Sequence, residues 1–125
     1  MKAIIAVNHL GWIGKDGKLP WVASSDLQHF KKLTLGGRLL AGYKTASYLP
    51  TLPGRDLIIY DRNKPIEDYL DLDWCVGGKF VYEKFCPYFT DLYVSHIDDM
   101  TIGDVAYPDF TNLNPDCIIR KYYFK

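Results

Sequence analysis

The stretch Trp74-Cys75-Val76-Gly77-Gly78-Lys79-Phe80-Val81-Tyr82-Glu83-Lys84-Phe85 reads as a short apolar strand, a two-glycine turn and a helix stopped by Pro87. A strand that runs directly into a helix is half of a crossover unit, and the rest of the chain repeats the pattern. Apolar runs recur at Ala3–Val7, Leu39–Ala41, Leu57–Tyr60, Trp74–Val76, Leu92–Ile97 and Cys117–Phe124. Helical patterns at Asp26–Leu33, Lys44–Leu49 and Phe80–Phe85 fall among them; Pro50 ends the second, and Ile66–Leu70 after Pro65 reads as a further short helix. Short buried strands alternating with helices predict an α/β fold, a mostly parallel twisted sheet flanked by helices. The last strands are joined by short polar connections, so the C-terminal part is expected to pair antiparallel at one sheet edge. The segment His9–Ser24, with Gly11, Gly14, Gly17 and Pro20, has no steady period and reads as a long loop, of the kind that often forms a lid.

A chain of 125 residues, 48% hydrophobic and 15% aromatic, predicts one domain spanning 1–125 with a core of ordinary density. Lys and Arg number 15 and so do Asp and Glu, which leaves no global field to attract nucleic acid or a membrane surface and favours a small-molecule partner. Cys75, Cys86 and Cys117 form no CxxC pair; in their apolar surroundings each reads as a buried free thiol, which suits a reducing cytoplasm. The apolar run at Met1–Val7 is too short for a signal segment or a membrane span and reads as a buried first strand. His9, His29 and His96 do not share metal-ligand spacing, so no metal is expected. Ser95, His96 and Asp98 could be written as a hydrolytic triad, but adjacent strand residues point to opposite faces, which is poor geometry for one.

One acid stands apart. In Leu19-Pro20-Trp21 followed by Ser25-Asp26-Leu27-Gln28-His29-Phe30, Asp26 falls at i, Phe30 at i+4 and Leu33 at i+7, so the carboxylate shares a helix face with the residues that pack inward. Desolvation there raises the pKa unless donors stabilise the anion. The plainer alternative is that Asp26 favours the positive end of the helix macrodipole, with Ser24 or Ser25 as the cap. Gly77-Gly78 is similarly two-sided. It lets a phosphate approach the backbone at a helix start, yet a bare pair without the full dinucleotide fingerprint is more often only a tight turn.

Read in order, the chain shows Ile13-Gly14, Leu19-Pro20-Trp21, Asp26-Leu27-x-x-Phe30-Lys31-Lys32-x-Thr34, Gly42-x-x-Thr45, Leu52-Pro53-Gly54-Arg55, Gly77-Gly78-x-x-x-Tyr82-Glu83-x-Phe85 and Ser95-His96-Ile97-Asp98. This series, running from about residue 3 to about residue 110, resembles dihydrofolate reductase. The chain is shorter than typical cellular members between Arg62 and Trp74 and near the C-terminus, and in this resembles compact phage-encoded versions. The resemblance implies hydride transfer from C4 of a reduced nicotinamide to C6 of dihydropterin with protonation at N5, making tetrahydrofolate for one-carbon metabolism. It implies catalytic roles for Asp26, which would hold the pterin N3 and 2-amino edge, for Ser95, which would support that carboxylate, and for Trp21, which would hold a water beside it.

For the substrate, the resemblance assigns Ile4, Ile5, Ala6 and Val76 to the pterin, Leu27, Phe30 and Leu49 to the aminobenzoyl walls, and Arg55 to the glutamate α-carboxylate. For the cofactor it assigns Ala6 and Val76 again, Ile13, Gly14 and Leu19 in a loop closing over the nicotinamide, and Gly77, Gly78, Lys79, Phe80 and Tyr82 near the pyrophosphate. Gly42, Tyr43, Lys44, Thr45, Asp61 and Arg62 complete the set. Each of these residues read alone is an ordinary core, turn or capping residue. Tyr43 stands where many members carry arginine and Asp61 where a small hydroxyl residue is common, so the 2′-phosphate clamp departs from the family pattern. NADPH is the expected cofactor with NADH possible, dihydrofolate the expected substrate, and a monomer the expected unit. The alternatives are a nonenzymatic folate- or nucleotide-binding module, such as a phage structural component keeping the fold, and a related pterin or pyrimidine reductase.

Overall fold

The chain alternates strand and helix as its apolar runs predict. In a computed structural model, which describes residues 1–21, 24–50 and 52–125, the elements are β1 (Lys2–Asn8), β2 (Trp12–Gly14), α1 (Ser24–Thr34), β3 (Arg38–Ala41), α2 (Tyr43–Tyr48), β4 (Asp56–Ile59), β5 (Trp74–Cys75), α3 (Lys79–Phe85), β6 (Asp91–Ile97), β7 (Val105–Ala106) and β8 (Ile118–Phe124). Two 3₁₀ turns, Ile66–Tyr69 and Cys86–Tyr88, complete them. Six strands form one sheet in the order β4-β3-β5-β1-β6-β8, and every neighbouring pair in it is parallel. No helix among the described residues is long and apolar enough to cross a membrane.

The central strands are mostly buried because the sheet is covered on both faces there, whereas the edge strands β4 and β8 are largely exposed. Ala3, Ile5 and Val7 of β1 lie with Leu40, Cys75, Leu92 and Val94 against Val81, Tyr82 and Phe85 of α3 and against Phe89. The alternate residue Ile4 joins Leu39, Ala41, Trp74 and Val76, onto which Phe30 and Leu33 of α1, Ala46 of α2 and Leu49 pack. Parallel pairing sends the C-terminal ends of all six strands to the same edge of the sheet, where open α/β sheets bind ligands.

The mostly parallel α/β architecture agrees with the sequence reading, and each main strand lies within a residue of its apolar run at either end. The direction of the last strand differs. β8 pairs parallel with β6, Asp91 opposite Ile118 through Ile97 opposite Phe124, where an antiparallel edge was expected. The physical reason is the connection. Residues 98–117 exceed the roughly dozen residues a parallel crossover needs, so the chain can return to the start side of the sheet before β8 begins.

Antiparallel pairing is found instead in a small ribbon of β2 with β7, Trp12 opposite Ala106 and Gly14 opposite Val105. The expected loop His9–Ser24 therefore carries a strand, and a Lys15–Lys18 bridge follows it; Val22 and Ala23 lie outside the described residues. Ser24 opens α1 and Ser25 lies within it. Cys75 and Cys86 are buried free thiols as expected, whereas Cys117 is only half-buried, because it precedes an edge strand whose first residues, Ile118 and Ile119, are exposed.

Candidate active site

The C-terminal ends of β1, β3, β4 and β5, with α1, α2 and β2, enclose a cleft of about 1580 Å³. All the residues singled out from the sequence line it, apart from Arg55. Asp26 and Trp21 face Ser95 across the end of β1; Ile4, Ile5, Ala6, Leu27, Phe30, Leu49 and Val76 supply apolar wall. Ile13, Gly14 and Leu19 close one side, and Gly42, Tyr43, Lys44, Thr45, Asp61, Arg62, Gly77, Gly78, Lys79, Phe80 and Tyr82 form the opposite end.

Asp26 is 8% exposed despite its charge, because the inward face of α1 presses it against the sheet. Burial raises its pKa, and the nearby Trp21 indole and Ser95 hydroxyl pull it partly back. Trp21 Nε1 and Ser95 Oγ are themselves buried, and among the described residues neither makes a hydrogen bond of ordinary geometry to a protein acceptor. Buried polar atoms without partners are uncommon in native proteins, so two of them beside one buried carboxylate mark a place where a polar ligand edge and ordered water belong. His96, next in sequence to Ser95, lines a separate hollow on the far face of the sheet with His9 and Lys121, which disposes of the triad on paper.

At the other end of the cleft, Gly77 has φ +118° and a side chain there would lie 3.2 Å from the Tyr82 ring, so only glycine serves. A Cβ on Gly78 would meet Thr45 Oγ1 at 3.2 Å. Gly42 N–H donates to the Gly77 carbonyl at 2.7 Å, which binds the β3 and β5 turns together with bare backbone facing the cleft. This cradle fits a pyrophosphate, and the cleft's volume of about 1580 Å³ has room for a dinucleotide beside a second ligand. Tyr82 donates its hydroxyl to the Ile4 carbonyl at 2.5 Å, and burial holds its pKa well above the usual phenol value, so it is a fixed neutral donor.

Asn8 secures the cleft's loop. Its Oδ1 accepts from the Leu10 and Trp12 N–H groups, and its Nδ2 donates to Asp99 Oδ2 and the Thr101 carbonyl. Asp104 accepts from Asp16 N–H at 2.9 Å and ties the far side of the same loop to the β7 approach.

Arg55 sits outside the cleft lining, held at the end of α1. Its Nε donates to Thr34 Oγ1 at 3.0 Å, one guanidinium nitrogen to the Pro53 carbonyl at 2.7 Å, and the other to the Lys31 carbonyl. The cleft also takes Lys18, Tyr48, Tyr60, Asn63 and Val105, which sequence reasoning did not single out. Tyr48 lies three residues after Thr45 on α2, a spacing that could have revealed it. Val105 reaches the cleft only through the β2–β7 pairing, which leaves no local sequence signal.

A dihydrofolate reductase family profile matches residues 1–73. The type 3 dihydrofolate reductase of Salmonella typhimurium is 32% identical over 88% of this chain and 79% of that protein, and the dihydrofolate reductase of Bacillus subtilis (strain 168) is 31% identical over 89% and 77%. Among solved structures, a dihydrofolate reductase from Enterococcus faecalis complexed with NADP(H) and RAB-propyl superposes with a TM-score of 0.75 at 28% identity, covering 88% of this chain and 77% of that one. With the parallel sheet, the two-glycine cradle and the buried acid all on one edge, the chain belongs to the dihydrofolate reductase family.

Proposed function

We propose that this chain reduces 7,8-dihydrofolate to 5,6,7,8-tetrahydrofolate with NADPH, and that Asp26 is the residue on which the reaction turns. The observation that carries the assignment is the buried carboxylate, lining a dinucleotide-sized cleft, with two buried donors beside it that have no partner of ordinary geometry among the described residues. The ionised Asp26 accepts two hydrogen bonds from the pterin N3 and 2-amino edge, which fixes the ring and makes N5 more basic. Trp21 Nε1 and Ser95 Oγ hold the carboxylate and a water beside it, through which solvent protons reach N5. Ile5, Ala6, Leu27 and Phe30 exclude other water and keep the ring flat in an apolar slot. Ile13, Gly14 and Leu19 cover the reacting end. The reduced dinucleotide, held along Gly42–Thr45 and Gly77–Phe80 with its nicotinamide beside Ala6, would supply the hydride to pterin C6.

The cleft is complete within one chain, which supports a monomer as the working unit, and three free thiols support a reducing cytoplasm as its setting. The test is a spectrophotometric assay of NADPH oxidation with dihydrofolate, in wild type and Asp26→Asn. Wild type turns over, and the variant falls at least about tenfold near neutral pH with its fold intact by circular dichroism. The deficit shrinks in acid, where N5 protonates in solution. Equal activity in both proteins removes Asp26 from the mechanism.

A further inference from the structure

In the sheet order β4-β3-β5-β1, the cleft-facing ends carry Asp61 and Arg62, then Gly42 to Thr45, then Gly77 and Gly78, then Ala6. A dinucleotide lying along this row, with its nicotinamide over β1 and its pyrophosphate between β5 and β3, reaches β4 with its adenosine ribose. Three strand spacings, about 15 Å in all, separate the two ends. Ile59, Tyr60 and Phe80 form the apolar surface there, and Lys44 and Arg62 bring positive charge.

Asp61 enters this end as part of a rigid turn. Its Oδ1 accepts the Asn63 N–H at 2.9 Å, its carbonyl accepts Lys64 N–H at 3.0 Å, and its own N–H donates to the hydroxyl of buried Tyr69 at 2.9 Å. The backbone of Asp61 is thereby fixed in the turn, and the Asn63 bond favours one orientation of its side chain. Its Oδ2 makes no hydrogen bond among the described residues, so one carboxylate oxygen stands ready at the place where a ribose presents its two hydroxyls. A carboxylate accepts from a free 2′-hydroxyl and repels a 2′-phosphate of roughly two negative charges.

We propose that Asp61 sets cofactor choice, holding the adenosine ribose hydroxyls of NADH and opposing the 2′-phosphate of NADPH, so that this reductase accepts NADH alongside NADPH. The inference rests on the reductase reading of the cleft. Lys44 and Arg62 keep the phosphorylated cofactor bound, and Asp61 narrows the advantage they give it.

The test is calorimetric binding of NADP⁺ and NAD⁺, with kcat/KM for NADPH and NADH, in wild type and Asp61→Asn. Asparagine keeps an acceptor for the Asn63 N–H and removes the charge; Asp61→Ser, which can close the same turn, repeats the measurement. In the variants NADP⁺ binding tightens and NAD⁺ binding weakens, moving the ratio about tenfold, and the shift diminishes with added salt because the charge is exposed. An unchanged NADP⁺ to NAD⁺ ratio in both folded variants overturns the proposal, while NADPH turnover by wild type leaves the reductase reading standing. Absence of turnover with either cofactor removes that reading, and the binding ratio still reports on Asp61.

Discussion

Asp26 shows what a single buried charge costs and provides. Its folded-state pKa lies above the usual 3.8, so the native protein holds that proton more tightly than the unfolded chain does. The sign follows: Asp26 contributes most to stability below the unfolded value, and stability declines as pH rises through the folded value. At neutral pH the carboxylate is an ionised group in an apolar place, and Asp26→Asn, which keeps the shape without the charge, melts at a higher temperature than wild type. The gap in Tm closes as pH falls towards 3.8. Thermal unfolding of both proteins from acid to neutral pH checks this, and a variant that melts lower throughout would mean the carboxylate is better solvated than its burial implies. The activity lost in the same substitution and the stability gained come from one cause, a charge placed for chemistry rather than for folding.

At the scale of elements, Arg55 joins the end of α1 to the turn that leads into β4, through Lys31, Thr34 and Pro53. Arg55→Leu removes these bonds and leaves Thr34 Oγ1, which is fully buried, with fewer partners; a loss of about 1–3 kcal/mol in stability is expected from denaturant unfolding. If Arg55 also takes the substrate glutamate, the same variant raises KM for dihydrofolate far more than for a pterin lacking the tail. Equal effects on both substrates would confine it to the structural role. The motif Leu52-Pro53-Gly54-Arg55 marked this residue in the sequence, but not the three partners that hold it outside the cleft lining. Strands β1, β3, β5 and β6 were legible because short apolar runs bounded by turn residues mark strands, although the similar run of β4 lies exposed at the sheet edge. The β2–β7 ribbon was not, since it joins residues some ninety positions apart and Trp12-Ile13-Gly14 is too short to show a period. The direction of β8 was hidden for a different reason: periodicity reveals a strand but never which way it runs, and that depends on the path of 98–117.

For the whole molecule, the three thiols rank its regions by accessibility. Burial pushes Cys75 up to about 12, and Cys86 is raised by burial with Glu83 and Asp109 adding to it. Cys117 is raised too, but it is only half-buried. Ellman's reagent at mildly alkaline pH should modify Cys117 alone in the native state, with Cys75 and Cys86 following at the rate at which the sheet opens. Three thiols reacting together would mean that the core breathes far more than its packing suggests. The cleft was legible as a set because its residues cluster in short motifs at strand ends. Asn63 and Val105 were not, because nothing local distinguishes a residue that faces a cavity from one that faces solvent. Trp21 carries an optical consequence. Its indole lines the cleft, while Trp74 is buried within the core and Trp12 is half-buried in the β2–β7 ribbon. Indole emits in the band where a reduced nicotinamide absorbs, so a cofactor entering the cleft should dim the protein's own ultraviolet glow by energy transfer, most strongly from this ring. The molecule thus carries its own lamp at the site, and Trp21→Phe should remove the largest single share of that dimming.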